Sequence, residues 1–153
     1  MSTIEQNFTV RRFSEEDVEK MTTLMENLCR LRGVAFDHDR WVRSVEKRFH
    51  GRESEKGCAL VADAKGVVIG MAFLSIKRQE AGFVYGWISN LVVDPGFRGR
   101  GVGEALVREA LDYFRRSHVR NVRVTVKASS TGAPRLFVKL GFEEVLRVFE
   151  YKF

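Results

Sequence analysis

The spacing of apolar residues predicts two helices in the first third of the chain. One apolar stripe along residues 15–31 has members three or four positions apart, as one face of a helix requires. Its members are Val18, Met21, Leu24, Met25 and Leu28. Ser14 is suited to cap this helix, and Gly33 is suited to end it. A second helix is expected over residues 40–49, with Asp39 as its cap.

Alternation of apolar and polar residues predicts strands on both sides of these helices. The first covers residues 8–12. After Cys58 the period changes, and residues 59–63 and 67–76 form two strands joined by a tight turn. A third run covers residues 83–93. Because the connections between these three strands are short, they predict an antiparallel meander.

The last third returns to helical spacing and then to alternation. A helix is predicted over residues 101–114, a strand over 121–127, and a short helix over 133–140 that Gly141 ends. The tail, residues 142–153, is β-like.

Length and composition indicate one globular domain over residues 1–153. Hydrophobic residues make up 44% and charged residues 30% of the chain, values that fit a protein with a core and exclude extensive disorder. No apolar run approaches the roughly 20 residues of a membrane-spanning helix, and the first residues do not resemble a signal peptide. We therefore expect a cytoplasmic protein without membrane attachment. The two cysteines and three histidines are scattered, so no metal site is expected.

The positive charge of the chain lies at one end. Residues 1–97 carry 14 basic and 14 acidic side chains, whereas residues 98–153 carry 12 and 6, so the whole net charge of +6 belongs to the second part. A localised basic surface favours an anionic partner, which charge alone leaves open between a nucleic acid, a phosphorylated ligand and an acidic lipid.

A strand that runs into a glycine-rich turn and then into a helix is the most informative segment, residues 91–104. The first amides of a helix have no internal acceptor and attract anions. Glycines 99, 101 and 103 let a ligand approach the backbone, and Arg98 and Arg100 add positive charge. The spacing is neither the G-x-G-x-x-G of dinucleotide folds nor a P-loop. From these residues alone, an anion site and a purely structural turn both remain open.

Two motifs together resemble the GNAT family of acetyl-CoA-dependent N-acetyltransferases. The first is Val93-Asp94-Pro95 followed by Arg98-x-x-Gly101-x-Gly103, and the second is A-P-R-L-F-V-K-L-G-F at residues 133–142. The order of the predicted elements matches over nearly the whole chain. The resemblance implies an α+β, three-layer fold with a central mixed, mostly antiparallel sheet of about six to seven strands flanked by about four helices. It also implies an acyltransferase with acetyl-CoA as its co-substrate.

The resemblance further implies where the cofactor binds. The backbone amides of residues 98–103 hold the pyrophosphate, the strand at 91–93 pairs with the pantetheine arm, and the amide of Val93 lies near the thioester carbonyl. The cofactor enters a gap between that strand and residues 121–127. The implied cofactor-binding residues are Leu91, Val92, Val93, Arg98, Gly99, Arg100, Gly101, Val102, Gly103, Ser130 and Phe137.

Two of these residues depart from the family pattern. Ser130 stands where many relatives have Asn, and Phe137 stands where many have a Tyr that protonates the leaving thiolate. Tyr151 and Tyr113 are candidate substitutes for that acid, although a CoA thiol with a pKa of about 8.5 can leave without one. Glu80, in the loop before the central strand, is the candidate general base.

The acceptor is expected to be the primary amine of a small molecule or a peptide, which attacks the thioester directly. Asp37, His38 and Asp39 are candidates for attracting it, with Phe36 and Trp41 as walls of the pocket. The alternative function is a non-catalytic acetyl-CoA- or CoA-binding regulatory module. Nucleic-acid binding is disfavoured because no known binding motif is present. The apolar tail suggests a homodimer that pairs through residues 145–153.

Overall fold

The computed structural model describes residues 7–50, 57–126 and 132–153. Its strands are β1 (Thr9–Arg12), β2 (Cys58–Ala64), β3 (Val67–Arg78), β4 (Val84–Val93) and β5 (Val122–Val124). Its helices are α1 (Val18–Arg32), α2 (His38–His50), α3 (Val102–Arg116) and α4 (Ala133–Lys139). The predicted helices and the antiparallel meander are confirmed, and most boundaries shift by only a few residues.

The sheet has the strand order β1-β2-β3-β4-β5. Neighbouring strands are antiparallel except for β4 and β5, which are parallel. The prediction of a mixed, mostly antiparallel sheet is therefore confirmed, with five strands described in place of the expected six to seven.

The predicted β-like tail accounts for part of this difference. Within the described ranges, residues 142–153 form no strand, and their large apolar side chains from Val145 onward are 68% to 116% exposed. Alternation in a sequence reports only that one side of a segment is apolar. A strand also needs an edge to pair with, and the tail pairs with no edge of its own sheet.

Helices cover both faces of the sheet, as the three-layer prediction requires. On one face, α1 and α2 pack through residues such as Met21, Leu24 and Trp41 against Phe73 of β3. On the other face, α3 packs through Leu106 and Phe114 together with α4. The sheet is therefore buried between two apolar layers, while the ends of its strands remain accessible.

The cap of α2 differs from the prediction. The helix begins at His38, and the carboxylate of Asp37 accepts a hydrogen bond of 3.0 Å from the backbone amide of Arg40. Asp39 lies inside the first turn, where its negative charge still favours the helix dipole. Both positions suit an acidic residue, which is why the sequence did not distinguish them.

A buried carboxylate joins the start of α1 to the sheet. Asp17 is 4% exposed and accepts hydrogen bonds of 2.7 and 2.8 Å from the guanidinium of Arg11 on β1. Arg11 also contacts Asp63 on β2 at 3.1 Å. The hydrogen bonds from Arg11 lower the pKa of Asp17 below its ordinary value of 3.8, against the opposing effect of burial.

We expect Asp17→Asn to destabilise the domain by about 2 kcal/mol at pH 7, because it leaves the Arg11 guanidinium without its best partner. Since pairing lowers the pKa of Asp17 in the folded state, its contribution is present above pH 3.8 and is lost as the pH falls below that value. Urea unfolding at pH 7 and pH 3 measures both effects. The matched control is Asp63→Asn, which keeps the Arg11–Asp17 pair and is expected to cost less. An equal loss at both pH values would contradict the prediction.

Candidate active site

A bulge interrupts β4 close to its end. Val93 and Val92 lie opposite Gly70 and Met71 of β3, but the next pair in the register joins Ser89 to Phe73. Two residues of β4, one of them Asn90, therefore face a single residue of β3, and Asn90 adopts a positive φ of 48°. Such a bulge bends the strand and ends its regular pairing.

Beyond the bulge, the outer edge of β4 is open. The strand β5 pairs only with residues 86–88, so within the described ranges no strand pairs with the outer edge from Ser89 to Val93. The amide of Asp94 donates to the carbonyl of Ile69 on β3 at 2.7 Å. Because successive amides along a strand point to opposite sides, the amide of Val93 points to the open edge. This edge can receive an extended ligand as an added strand.

The turn after β4 leaves the start of α3 uncapped. Gly99 and Gly101 have φ values of 77° and 82°, in the region that favours glycine, and no atom of the described residues lies within 4 Å of a Cβ built at either glycine. Gly101 precedes the helix and has no side chain to cap it. The first amides of α3, from Val102 to Glu104, have no acceptor within the helix. They form an anion site beside the open edge of β4.

Charged side chains around this turn are mostly basic. Arg98 and Arg100 are exposed, and the guanidinium of Arg100 lies 5.2 Å from the ring centre of Phe97. The nearby carboxylate of Glu104 is paired with Lys139 at 3.0 Å and with Arg108 at 2.9 Å. The hydrogen bond from Lys139, followed by that from Arg108, lowers the pKa of Glu104. With this carboxylate neutralised, the turn presents a positive surface to a ligand.

The end of β4, the start of α3 and the helix α4 meet in front of the open edge of β4. A Cβ placed on Gly103 would lie 3.7 Å from Val93 at the end of β4 and 3.6 Å from Leu136 on α4. The residue next to Leu136, Phe137, is 6% exposed and packs edge to face against Phe142 at 5.3 Å. Its ring is thus part of the core. Ser130 lies outside the described residues.

The two candidate catalytic residues are not brought together at the bulge. Glu80 is exposed in the turn between β3 and β4. The strand β4 begins after this turn at Val84, and the six residue steps from Val84 to Asn90 at the bulge span about 20 Å along the strand. Tyr151 is 80% exposed in the tail, with its ring 5.3 Å from that of Phe153. Both roles therefore stay predictions.

Tyr113 lies in the last part of α3, eleven positions after the first residue of the helix. This separation corresponds to about 16 Å along the helix axis. Burial raises the pKa of its hydroxyl. Its ring packs against Phe114 at 5.3 Å, and Arg12 lies over the other side at 5.5 Å. Tyr113 is therefore remote from the glycine-rich turn.

An aromatic cluster packs on Phe73 of β3, the strand beside the bulge. Trp41 is 6% exposed, stacks on Phe73 with ring centres 5.4 Å apart, and donates from Nε1 to the hydroxyl of Thr22 at 2.9 Å. Phe36 packs on the outer side of Trp41 at 6.4 Å. Since Phe73 is the register partner of Ser89, this cluster lies one strand away from the bulge.

A basic cavity adjoins this cluster, a feature that the sequence did not predict. The cavity has a volume of about 700 Å³ and is lined by Asp37, Arg40, Arg43, Ser44, Lys47 and Arg48. The guanidinium of Arg48 lies 4.1 Å from the ring centre of Phe73, and its buried Nε has no hydrogen-bond partner among the described residues. Burial lowers the pKa of Arg48. The helical spacing of the basic residues on α2 could have indicated this cavity. Any solvent-exposed face of a helix shows the same spacing, however, so the pattern was not specific.

Within the described ranges, no three His, Cys, Asp or Glu side chains come close enough to hold a metal ion. None of the described helices is long and apolar enough to span a membrane.

Known proteins resemble this chain in both sequence and fold. The model of the acetyltransferase (GNAT) family matches residues 21–142. An uncharacterized N-acetyltransferase of Methanocaldococcus jannaschii is 26% identical over 144 residues, which cover 90% of this chain and 61% of that protein. The ribosomal protein bS18-alanine N-acetyltransferase of Salmonella typhimurium is 30% identical over 99 residues, which cover 65% and 64%. The chain thus spans less than two thirds of the length of these relatives.

Solved structures show the same fold. The aminoglycoside N-acetyltransferase AAC(6')-Iy, solved in complex with CoA, superposes with a TM-score of 0.81 and 21% identity, over 99% of this chain and 98% of that one. Glucosamine-6-phosphate N-acetyltransferase from Arabidopsis thaliana superposes with a TM-score of 0.73 and 17% identity, over 94% and 97%. At these identities the likeness concerns the fold alone. Because the family model covers most of the domain, this chain belongs to the acetyltransferase (GNAT) family.

Proposed function

We propose that the protein is an N-acetyltransferase that transfers the acetyl group of acetyl-CoA to a primary amine. The observation that carries this proposal is the open outer edge of β4, which lies directly beside the uncapped start of α3. An extended pantetheine arm fits the first feature, and a pyrophosphate fits the second. Family membership and the neighbours solved with CoA support the same assignment.

The residues present fit acetyl-CoA. Arg98, Gly99, Arg100, Gly101, Val102 and Gly103 are proposed to surround the pyrophosphate, and Leu91, Val92 and Val93 to pair with the pantetheine arm. Among the described residues, no atom lies within 4 Å of a Cβ at Gly99 or Gly101, which leaves room for phosphate oxygens. Ser130 and Phe137 complete the proposed cofactor-binding set.

Bound acetyl-CoA supplies an activated acetyl group. The acceptor nitrogen forms a bond to the carbonyl carbon, the bond from carbon to sulfur breaks, and the CoA thiolate that leaves takes up the proton that the amine loses and becomes the free thiol. Negative charge develops on the carbonyl oxygen during attack, and the outward-pointing amide of Val93 is suited to stabilise it. Glu80 as base and Tyr151 as acid are proposals that Glu80→Gln and Tyr151→Phe test. A catalytic base or acid contributes about 100-fold or more to the rate.

The acceptor is proposed to carry an anionic group near its amine. The cavity along α2 is lined by four basic residues and a single carboxylate, and that carboxylate already caps α2. This charge balance opposes the sequence-based expectation that Asp37, His38 and Asp39 attract a cationic amine. A carboxylate or phosphate on the acceptor would pair with the basic side chains that line this cavity.

The test measures CoA thiol release from acetyl-CoA with pairs of acceptors, each pair an amino acid or short peptide and its neutral amide. We expect release that depends on the amine, with a lower KM for the anionic member of each pair. Arg48→Met should raise the KM for the anionic member, and Arg116→Met, which removes an exposed arginine of α3 that does not line the cavity, is the matched control. Binding of acetyl-CoA with no transfer to any amine would favour the alternative, a non-catalytic CoA-binding module, which the buried Phe137 also favours because it has no proton to give.

A further inference from the structure

A row of three aromatic side chains lies along the start of β4. Phe83 directly precedes the strand, and Tyr85 and Trp87 follow at alternate positions, with neighbouring ring centres 5.9 and 6.3 Å apart. Gly86, between the last two, faces α3, because a Cβ there would meet the ring of Phe114. Successive residues of a strand point to opposite faces, so this aromatic row lies on the face of the sheet on which α1 and α2 pack.

The aromatic row is not part of the hydrophobic core. Within the described ranges, none of its members belongs to the two apolar layers or to the residues packed against them. Tyr85 and Trp87 are half-buried, and Phe83 is 37% exposed. Their register partners on β3 are polar, since Lys77 lies opposite Tyr85 and Ser75 lies opposite Trp87. The three rings therefore form a surface that is accessible to a ligand.

Arg123 of β5 lies on this aromatic row. The central carbon of its guanidinium is 4.6 Å from the ring centre of Tyr85 and 5.1 Å from that of Phe83, and Trp87 is its register partner. Among the residues that the structure describes, no acidic side chain pairs with it. Stacking on rings holds the plane of a guanidinium and leaves the N–H groups at its edge free to donate to a carboxylate.

The aromatic row leads to the open edge of β4. Ser89, where that edge begins, is two residues beyond Trp87 and therefore lies on the same face. Beyond Phe83, the surface continues into a cavity of about 350 Å³ that Arg120 also lines. The seven residue steps from Phe83 to Asn90 at the bulge span about 23 Å, which is longer than a small amine.

We infer that Arg123 is a specificity-determining residue that selects an acidic side chain in a peptide acceptor extended over the aromatic row. This inference rests on the proposed acetyl transfer and narrows its acceptor to a peptide. The cofactor is proposed to occupy the edge beyond the bulge, so the acceptor chain begins at the bulge with its N-terminal amine.

The length of the strand sets the position of the acidic side chain. Trp87, the register partner of Arg123, is three steps from Asn90, or about 10 Å. An extended peptide advances about 3.3 Å per residue, so its fourth residue reaches Arg123 when its first residue is at the bulge. Apolar side chains next to the acidic one would pack on the rings of the row.

Hexapeptides with a free N-terminus and a single aspartate, placed in turn at positions two to six, test this inference. Each is compared with its asparagine counterpart, which keeps the shape and removes the charge. Tryptophan fluorescence, to which Trp87 contributes, measures binding in the presence of CoA, and CoA thiol release measures acetylation. We expect aspartate near position four to bind at least about tenfold more tightly than asparagine. Peptides cut to two residues should bind at least about tenfold more weakly.

Variants of Arg123 test its role directly. Arg123→Met keeps an unbranched side chain on the rings and removes the charge, so it should abolish the preference for aspartate and change the affinity for asparagine peptides by no more than about threefold. Arg123→Glu should reverse the preference in favour of a lysine at the same position. The matched control is Arg78→Met, whose register partner Val84 lies on the other face of the sheet, and it should leave the preference intact.

Equal binding of all aspartate and asparagine peptides would overturn the inference. So would a preference that survives Arg123→Met, or dipeptides that bind as tightly as hexapeptides. The peptide series on the parent protein needs no variant, so the test stands even if a variant does not fold. Acetyl transfer to small amines without these preferences would overturn this inference alone, whereas no transfer to any amine would overturn the proposed function.

Discussion

Replacing Gly103 with glutamate is expected to abolish acetyl-CoA binding, lowering the affinity at least about 100-fold, while the domain stays folded. A Cβ at this position points between Val93 and Leu136 at ordinary contact distances of 3.7 and 3.6 Å, so the backbone tolerates it. The longer side chain would occupy the space in front of the open edge of β4. Its negative charge would also oppose a pyrophosphate at the start of α3. Isothermal titration measures the affinity, and thermal unfolding without ligand measures the stability.

Gly103→Ala is the matched control for this variant. It adds the same Cβ but neither the bulk nor the charge, so we expect acetyl-CoA affinity to change by no more than about threefold, since its Cβ contacts are ordinary. If Gly103→Glu bound acetyl-CoA as tightly as the parent protein, the cofactor would lie elsewhere, and the proposed site would be wrong.

Replacing Gly86 with valine is expected to destabilise the domain by about 3 kcal/mol, through overpacking of the core. A Cβ on this residue would lie 2.7 to 2.8 Å from ring atoms of Phe114, which is fully buried and cannot move aside. Gly86 also donates from its amide to the carbonyl of Asn121 at 2.7 Å, so a shift of β4 would weaken its pairing with β5. Urea unfolding of the two proteins measures the difference.

Two controls accompany this variant. Gly132→Ala places a Cβ at a φ of −90° with no atom of the described residues within 4 Å, and we expect it to change the stability by less than about 0.5 kcal/mol. Gly86→Ala combined with Phe114→Leu makes room for the added methyl group, so it should cost less than the sum of its two single changes. If the Gly86→Val protein were as stable as the parent, Phe114 of α3 would not pack closely against Gly86 of β4 in solution.

Local patterns predicted most of the fold because they report which side of each element is buried. The apolar stripe of α1 has one strong helical period, and β2 and β3 are nearly continuous apolar runs bounded by turns. Features that depend on contacts between distant residues were not predictable in this way. Asp37 and Asp39 are equivalent in sequence as caps, and only the position of the first turn of α2 separates them. The tail has the alternation of a strand, but its pairing depends on an edge that the sequence does not identify.

The candidate site likewise has one part that the sequence predicts and other parts that it does not. The glycine-rich turn and its two arginines stand next to each other in the sequence, so a short local motif was enough to suggest an anion site. The open edge of β4 results from a bulge against β3 and from the short pairing with β5, both of which are long-range. Arg48 joins the site through its packing on Phe73, 25 positions away in sequence. No local periodicity of apolar or charged residues in the sequence predicts that contact.

Titration of the purified protein with acetyl-CoA in a calorimeter tests the central claim most directly. We expect one molecule bound per chain, with competition by CoA and no comparable binding of inorganic phosphate, because the phosphate site and the open strand edge act together. Saturating acetyl-CoA at a hundredfold excess over its Kd should also stabilise the fold by about 2.7 kcal/mol. Absence of binding at millimolar acetyl-CoA would contradict the claim, and the glycine-rich turn would then be a structural connection between β4 and α3.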